Sequence, residues 1–250
     1  MSLTLKSPAQ IDAMRTGGQI LAKVLMTLKS EVKSGMTPKD MSKIAKAELK
    51  RLGGKPAFLG YQGFPDIICI SVNDQVQHSI PSNIPLVDGD IVNFDFGVLY
   101  QGMITDGGIT VCVGGQPDKD QQRLINGTEE ALARGLAQVR DGCRVGDISA
   151  AIESVLKKYN LGIVRELVGH GVGYALHEEP EIPNYGRRGH GPTLRSGMTI
   201  AIEPIANLGG DAIVHDKDGW TLWTKDGSHS AQFEHTVVVT KSGYEILTKI

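Results

Sequence analysis

Cysteine is scarce in this 250-residue chain, which holds three: Cys69, Cys112 and Cys143. So few and so scattered, they exclude a disulfide framework and a cysteine-based zinc site, and they predict buried thiols in a reducing compartment. An excess of positive charge is also missing, since 26 Lys and Arg against 28 Asp and Glu leave a formal net charge of −2. Nucleic acid and anionic membranes usually select a basic surface, so neither is expected as a partner. No uninterrupted apolar run approaches the ~18 residues of a membrane span, and "MSLTLKSPAQ" lacks the basic-then-apolar layout of an export signal. The expected location is the cytoplasm. Nor does a proline- or serine-rich linker divide the chain. What remains is ordinary globular composition, 40% hydrophobic and 22% charged.

Punctuation marks the first helices. Ser7 supplies a capping hydroxyl and Pro8 opens the first turn, after which Ile11, Met14, Leu21, Val24, Leu25 and Leu28 recur at helical spacing. Thr37 and Pro38 start a second helix, Met41, Ile44, Ala45 and Leu52 form its stripe, and Gly53-Gly54 stops it. "VKSGMTPKDMSKIAKAELKRL" from Val32 also lies without a gap on "VRDGCRVGDISAAIESVLKKY" from Val139, matching Gly35 to Gly142, Asp40 to Asp147, Ser42 to Ser149 and Leu49 to Leu156. That echo predicts one domain of two similar lobes, residues 1–110 and 111–250, with a site at their junction. Strands are expected at Asp66–Val72, Asp90–Leu99, Met103–Val113, Gly162–Leu167, Met198–Ala206 and Ser230–Thr240. Several follow one another directly. An α+β fold, a curved antiparallel sheet with helices on its outer face, therefore fits better than a doubly wound parallel sheet.

Four of those strands each carry a carboxylate among apolar or β-favouring neighbours: Asp95 in "NFDFG", Asp106 in "ITDGG", Glu203 in "IAIEPIA" and Glu234 in "SAQFEHTVVVT". One such residue usually sits on a solvated face or in an ion pair. Four together, in strands poor in Lys and Arg, need another explanation, because an uncompensated buried charge is costly. A two-residue turn at Tyr100-Gln101 would set Asp95 directly opposite Asp106, which only a cation or a shared proton makes tolerable. Four carboxylates bring −4 and two divalent cations bring +4. The pattern thus predicts two ions about 3.5–4 Å apart, with Mn, Fe, Co or Zn suited to oxygen ligands plus imidazole. "GHGVGYALHEEP" supplies two candidate imidazoles, His170 framed by Gly169, Gly171 and Gly173, and His177 beyond them. His78, in the loop "NDQVQHSIPS", is a third. His190, His215, His229 and His235 have no such framing and read as surface or structural, and strand alternation turns His235 away from the face of Glu234.

With these motifs in order from "SPAQIDAMRTGGQI" to "SGYEIL", nearly the whole chain resembles the bacterial type I methionine aminopeptidases, metal-dependent hydrolases of the pita-bread fold. The resemblance implies removal of the N-terminal methionine from nascent proteins and peptides, preferably before a small second residue, by dinuclear-metal-assisted hydrolysis. It implies that Asp95, Asp106, His170, Glu203 and Glu234 hold the two ions, with Asp106 and Glu234 bridging, Asp95 on one ion, and His170 and Glu203 on the other. Those ions would activate water and bind the free α-amino group, and Glu203 would shuttle protons. His177 would hydrogen-bond the substrate amide and steady the developing oxyanion, while His78 orients the substrate beside the leaving nitrogen. Tyr61, Phe64, Cys69 and Trp220 match positions that wrap the methionine thioether, a lining suited to a flexible, polarizable side chain. A monomer and a transient contact with the ribosome come with the resemblance, and the chain's own Met1-Ser2 has the form of a substrate.

The chain departs from that pattern in four places. Ser79 in "HSIP" and Gly107 in "DGG" stand where glycine and a hydroxyl residue are usual, Leu176 replaces a common aromatic before His177, and "DFG" follows Asp95. The first three bear on pocket shape and rate. The fourth leans towards an Xaa-Pro aminopeptidase or dipeptidase of the same fold, against which "HEEP" and "SAQFEHT" stand. A non-catalytic peptide-binding paralogue would predict eroded ligands, and all five positions are intact.

Overall fold

Two helix pairs flank a nine-stranded sheet in the structure, a computed structural model that describes residues 4–249, so that Met1-Ser2 lies outside it. Helix α1 (Pro8–Glu31) starts where Ser7 Oγ accepts the Gln10 N–H while the Gln10 side chain accepts the Ser7 N–H. Helix α2 (Pro38–Leu52) repeats the device with Thr37 and Asp40, and Gly53 ends it at φ 79°. The second pair is α3 (Lys119–Leu136) and α4 (Val145–Lys158). Helix α4 begins where the echo of α2 places it. Asp147 accepts the Arg144 N–H as Asp40 accepts that of Thr37, and Leu49 and Leu156 are both buried. The sequence pattern predicts no helix at α3. Its Gly127 and Gly135 serve close packing: a Cβ on Gly127 would lie 2.8 Å from Tyr159 and Leu161, and one on Gly135 2.8 Å from Ile152.

Each helix pair covers its own core. Leu21, Val24 and Leu28 of α1 and Met41 and Ala45 of α2 pack with Phe94, Phe96 and Val98, while Leu124, Ala131, Ile148 and Ile152 of the other pair pack with Ile200, Ile202 and Val237. Burying each large aliphatic side chain contributes about 1.5–3 kcal/mol. The helices therefore clamp the central strands from outside.

The main sheet runs Lys55–Pro56, Ile91–Tyr100, Met103–Cys112, Glu234–Val239, Thr199–Ile202, Gly169–Gly171 and Glu178–Ile182, with Cys69–Val72 beside the second and Tyr244–Ile246 beside the fourth. Its pairings are all antiparallel, as expected of the α+β class. The hairpin turn differs from the expectation by one residue. Tyr100 pairs with Met103, so the turn is Gln101-Gly102, at φ 47° and 80°. A turn whose two central residues both need positive φ selects the glycine, and Tyr100 stays in the strand it favours. Asp95 consequently faces Gly108, and Asp106 faces Gly97. The two aspartates are diagonal neighbours on one face, not direct partners.

Two expected strands are broken. Met198–Ala206 becomes Thr199–Ile202 and Ile205–Asn207, and Ser230–Thr240 becomes Ser230–Gln232 and Glu234–Val239. Pro204 cannot donate to a ladder, and at this level both chains leave the main sheet for a smaller one shared with Gly162–Ile163. The strand expected over Gly162–Leu167 shrinks to those two residues. Among the described residues no helix is long and apolar enough to cross a membrane. Cys69 and Cys143 are buried as expected, whereas Cys112 is half-buried.

Candidate metal centre

Five successive strands of the main sheet deliver the five predicted metal ligands. Asp95 and Asp106 lie on the Ile91–Tyr100 and Met103–Cys112 strands, Glu234 opens the next, Glu203 follows Ile202 directly at the end of the fourth, and His170 is central in the fifth. Asp95, Gly108 and Glu234 form one row across three strands, so their side-chain positions share a face. Gly108 leaves that row open. A Cβ there would stand 2.4 Å from Gln232 Oε1. His170 is squeezed similarly, because a Cβ on Gly171 would lie 2.2 Å from the Glu179 carbonyl. The glycine frame is thus a packing requirement.

Ligand atoms of Asp106, His170 and Glu234 lie within 4.8 Å of one another, and His170 Nε2 stands 3.4 Å from Glu203 Oε1. All five residues are at most 9% exposed. Burial pushes Asp106 up to about 7, against the pull of the Gly107 N–H, and drives Asp95, Glu203 and Glu234 well above the ordinary carboxyl range, with the charge of Asp106 adding to each. None of the ion pairs formed by Lys or Arg among the described residues involves these four carboxylates.

The donor set fits divalent metal. His170 Nδ1 donates to the Gly171 carbonyl at 2.9 Å, because a carbonyl can only accept, and burial holds the ring neutral at about 3. Nε2 therefore turns a lone pair towards the Glu203 carboxylate. Two acceptors face each other there, an arrangement a cation between them resolves. Asp95 Oδ1 and Glu234 Oε1 have no hydrogen-bond partner, while the second oxygens are steadied by Gln77 Nε2 at 2.8 Å and Gln232 Nε2 at 3.1 Å. Gln232 is held in turn by Asn93 Nδ2 at 3.0 Å. One oxygen fixed and one free on each carboxylate is what a ligand needs. The sequence reading missed all three: Gln232 and Asn93 have as their only signal a polar side chain in a strand two residues from a carboxylate, and Gln77 has none.

A cavity of about 510 Å³ opens over this centre, and Tyr61, Phe64, Cys69, His78, His177, Leu176 and Trp220 line it together with the five ligands. Cys69 pairs with Asp95 across the sheet, which sets the apolar wall beside the carboxylates. Phe64 meets Trp220 edge to face at 5.1 Å. His177 Nδ1 lies 2.8 Å from the Tyr61 hydroxyl, and its ring is 4.3 Å from that of His170. Burial lowers His177, and burial with the charges of His177 and His215 lowers His78 to about 4. His78 has φ 59°, a sparsely used conformation for a residue with a side chain, at the cavity wall. His215 is exposed, as its reading as a surface residue expects, and it also lines the mouth of the cavity. Its strand, Ile213–His215, forms a local hairpin with Leu222–Thr224 beside Trp220, and that strand pairs in turn with Gln75–Gln77. His235 turns away as expected, with Nδ1 2.9 Å from Thr248 Oγ1. The departures also find places. Gly107 points its missing Cβ at Leu21 of α1, 3.0 Å off, and Ser79 is buried against the Ser71 hydroxyl at 3.0 Å. Leu176 alone of the three touches the cavity.

Comparison with known proteins agrees with this geometry. Residues 12–241 match metallopeptidase family M24. The chain is 41% identical over 245 residues to methionine aminopeptidase 1 of Bacillus subtilis (strain 168), covering 98% of each chain. It is 41% identical over 261 residues to the methionine aminopeptidase of Aquifex aeolicus, covering 100% of both. The crystal structure of methionine aminopeptidase from Thermotoga maritima superposes with a TM-score of 0.97 at 40% identity, over 100% of both chains. A prolidase from Pyrococcus furiosus superposes at 0.79 with 24% identity over 98% of this chain and 65% of its own, a likeness of fold alone.

Proposed function

The chain belongs to metallopeptidase family M24, with the pita-bread fold, and from that premise we propose that it is a methionine aminopeptidase, a hydrolase that removes the N-terminal methionine from proteins and peptides. The observation that carries this reading is the convergence of Asp106, His170 and Glu234 within 4.8 Å beneath a cavity walled by Phe64, Cys69 and Trp220. Asp95, Asp106, His170, Glu203 and Glu234 are the residues that would hold two divalent ions, of the group Mn, Fe, Co and Zn. When bound, such ions supply Lewis-acid polarisation of the scissile carbonyl and acidify water.

The chain's own groups do the rest. Tyr61, Phe64, Cys69, Leu176 and Trp220 receive the methionine side chain, the aromatic edges and the thiol matching a polarizable thioether. Glu203 moves the proton from the attacking water to the leaving nitrogen. His177 donates a hydrogen bond towards the oxyanion as it develops, and the Tyr61 hydroxyl at its Nδ1 fixes the ring. His78, kept neutral by burial, orients the peptide beside the leaving nitrogen. The whole chain acts as one catalytic domain of two lobes, as a cytoplasmic monomer that meets nascent chains, with a transient contact at the ribosome. Small second residues are preferred.

Assay of Met-Ala-Ser against Ala-Pro-Ala peptides with Mn(II) or Co(II) tests the reading. Release of methionine from the first is expected, and preferential cleavage of the second would assign the chain to the Xaa-Pro peptidases instead.

A further inference from the structure

The residue after His177 is tied to a distant part of the chain. Glu178 Oε1 accepts the backbone N–H groups of Tyr174 and Ala175 at 2.5 and 3.0 Å, which closes the loop that carries His177 into a ring. Its Oε2 accepts Lys6 Nζ at 2.6 Å and Thr4 Oγ1 at 2.5 Å. Lys6 is 5% exposed, its ammonium lies 5.0 Å from the Tyr174 ring centroid, and its backbone N–H donates to the Gly197 carbonyl at 2.9 Å. The next residue is the capping Ser7 of α1. Segment 4–7 is therefore a strap fastened to α1 on one side and to the His177 loop on the other. The loop makes room for it, since a Cβ on Gly173 would stand 2.5 Å from Lys6 Cε.

Merely fixing a chain segment to a loop calls for an apolar side chain. A buried lysine costs desolvation and breaks even only with good geometry and further hydrogen bonds, so its use here points to a requirement of the loop itself. The ammonium cross-links Glu178, and Glu178 sets the ring whose next member is His177. We propose that Lys6 is a positioning residue for the substrate-binding imidazole, acting through Glu178 to hold the His177 loop in register with the carboxylates. This rests on the role given to His177 above.

The test measures kcat/KM for Met-Ala-Ser with Mn(II)-saturated enzyme. Lys6→Met should lower it about tenfold, since small misplacements of positioning groups cost one to two decades, with Mn(II) affinity by calorimetry unchanged. Made in a His177→Ala background, the same substitution should lower it no further. Thr4→Val removes the hydroxyl that donates to Glu178 and accepts from Lys6 Nζ at 2.6 Å, leaves the ion pair itself, and carries the test if Lys6→Met does not fold, with about a threefold loss that also vanishes in His177→Ala. Wild-type kcat/KM in both strap variants, an equal loss in the His177→Ala background, or a loss that tracks Mn(II) affinity would overturn the proposal. A fully active His177→Ala enzyme overturns the role of His177 and the strap with it. An impaired His177→Ala enzyme beside a fully active Lys6→Met enzyme overturns the strap alone.

Discussion

Chelation should make the stability of this protein fall as pH rises. Asp106, 4% exposed, is held at about 7 in the folded chain instead of its ordinary 3.8, and Asp95, Glu203 and Glu234 are shifted in the same direction. A folded-state pKa above the unfolded value means that the native state binds more protons. Its contribution is fully present below about pH 4 and lost as pH climbs through 7. At ~1.4 kcal/mol per pH unit, Asp106 alone accounts for about 4 kcal/mol, and at roughly 2–4 °C per kcal/mol for a chain of this size the melting point drops by about 8–16 °C. Bound cations compensate the ionised carboxylates, and metal at 100 times its Kd adds ~2.7 kcal/mol to the native state. The expected gap between Mn(II)-loaded and chelated protein is therefore small near pH 5 and widens to well over ~10 °C by pH 7.5. Differential scanning fluorimetry of paired samples across pH 5–8 measures it, and comparison at equal pH cancels the titration of surface carboxylates. Asp106→Asn should remove much of the slope in the chelated sample. A gap that is absent, or constant with pH, would refute the assignment of the four carboxylates to one metal-compensated site.

Glu203→Ala should lower kcat by about 100-fold or more while circular dichroism shows the fold retained, because the group moves a proton and supports no core. Gly108→Ala places a methyl 2.4 Å from Gln232 Oε1 and displaces the side chain that steadies Glu234. Metal affinity by calorimetry should fall about tenfold or more, the usual cost of losing an outer partner of a ligand. The His78 ring protons, followed by NMR, should titrate near pH 4 and not 6.5, so that this imidazole is neutral throughout the working range.

The ligands were legible because strand patterning makes a carboxylate between apolar residues conspicuous, and because Glu234, Glu203, Asp106 and Asp95 each interrupt such a run. Helices α1 and α2 were legible from Ser7-Pro8 and Thr37-Pro38. Helix α3 was not, since Gly127 and Gly135 act through neighbours that the local sequence does not name. Hairpin register was misplaced by one residue because strand propensity and turn chemistry compete at Tyr100, and the positive φ at Gly102 decides the contest. Gln77 and Lys6 owe their places to partners far along the chain, Asp95 and Glu178, and no local pattern marks them. Of the departures, Gly107 looked like a change to the site and is a contact with α1, a distinction only the side of the strand reveals.

The delivery of one ligand by each of five successive strands also sets when the centre can exist during synthesis. Once the Ile91–Tyr100 and Met103–Cys112 hairpin has formed, the chain holds two aspartates on one face but neither His170 nor the two glutamates. The strand that lies against that hairpin begins at Glu234, far downstream, and only its arrival brings the two halves of the ligand set together. An ion thus has no stable partial site to nucleate around, unlike the local loops of small zinc domains that fold on their metal. The loop-closure entropy is paid before the metal can contribute, and loading of the enzyme becomes the last event of its folding.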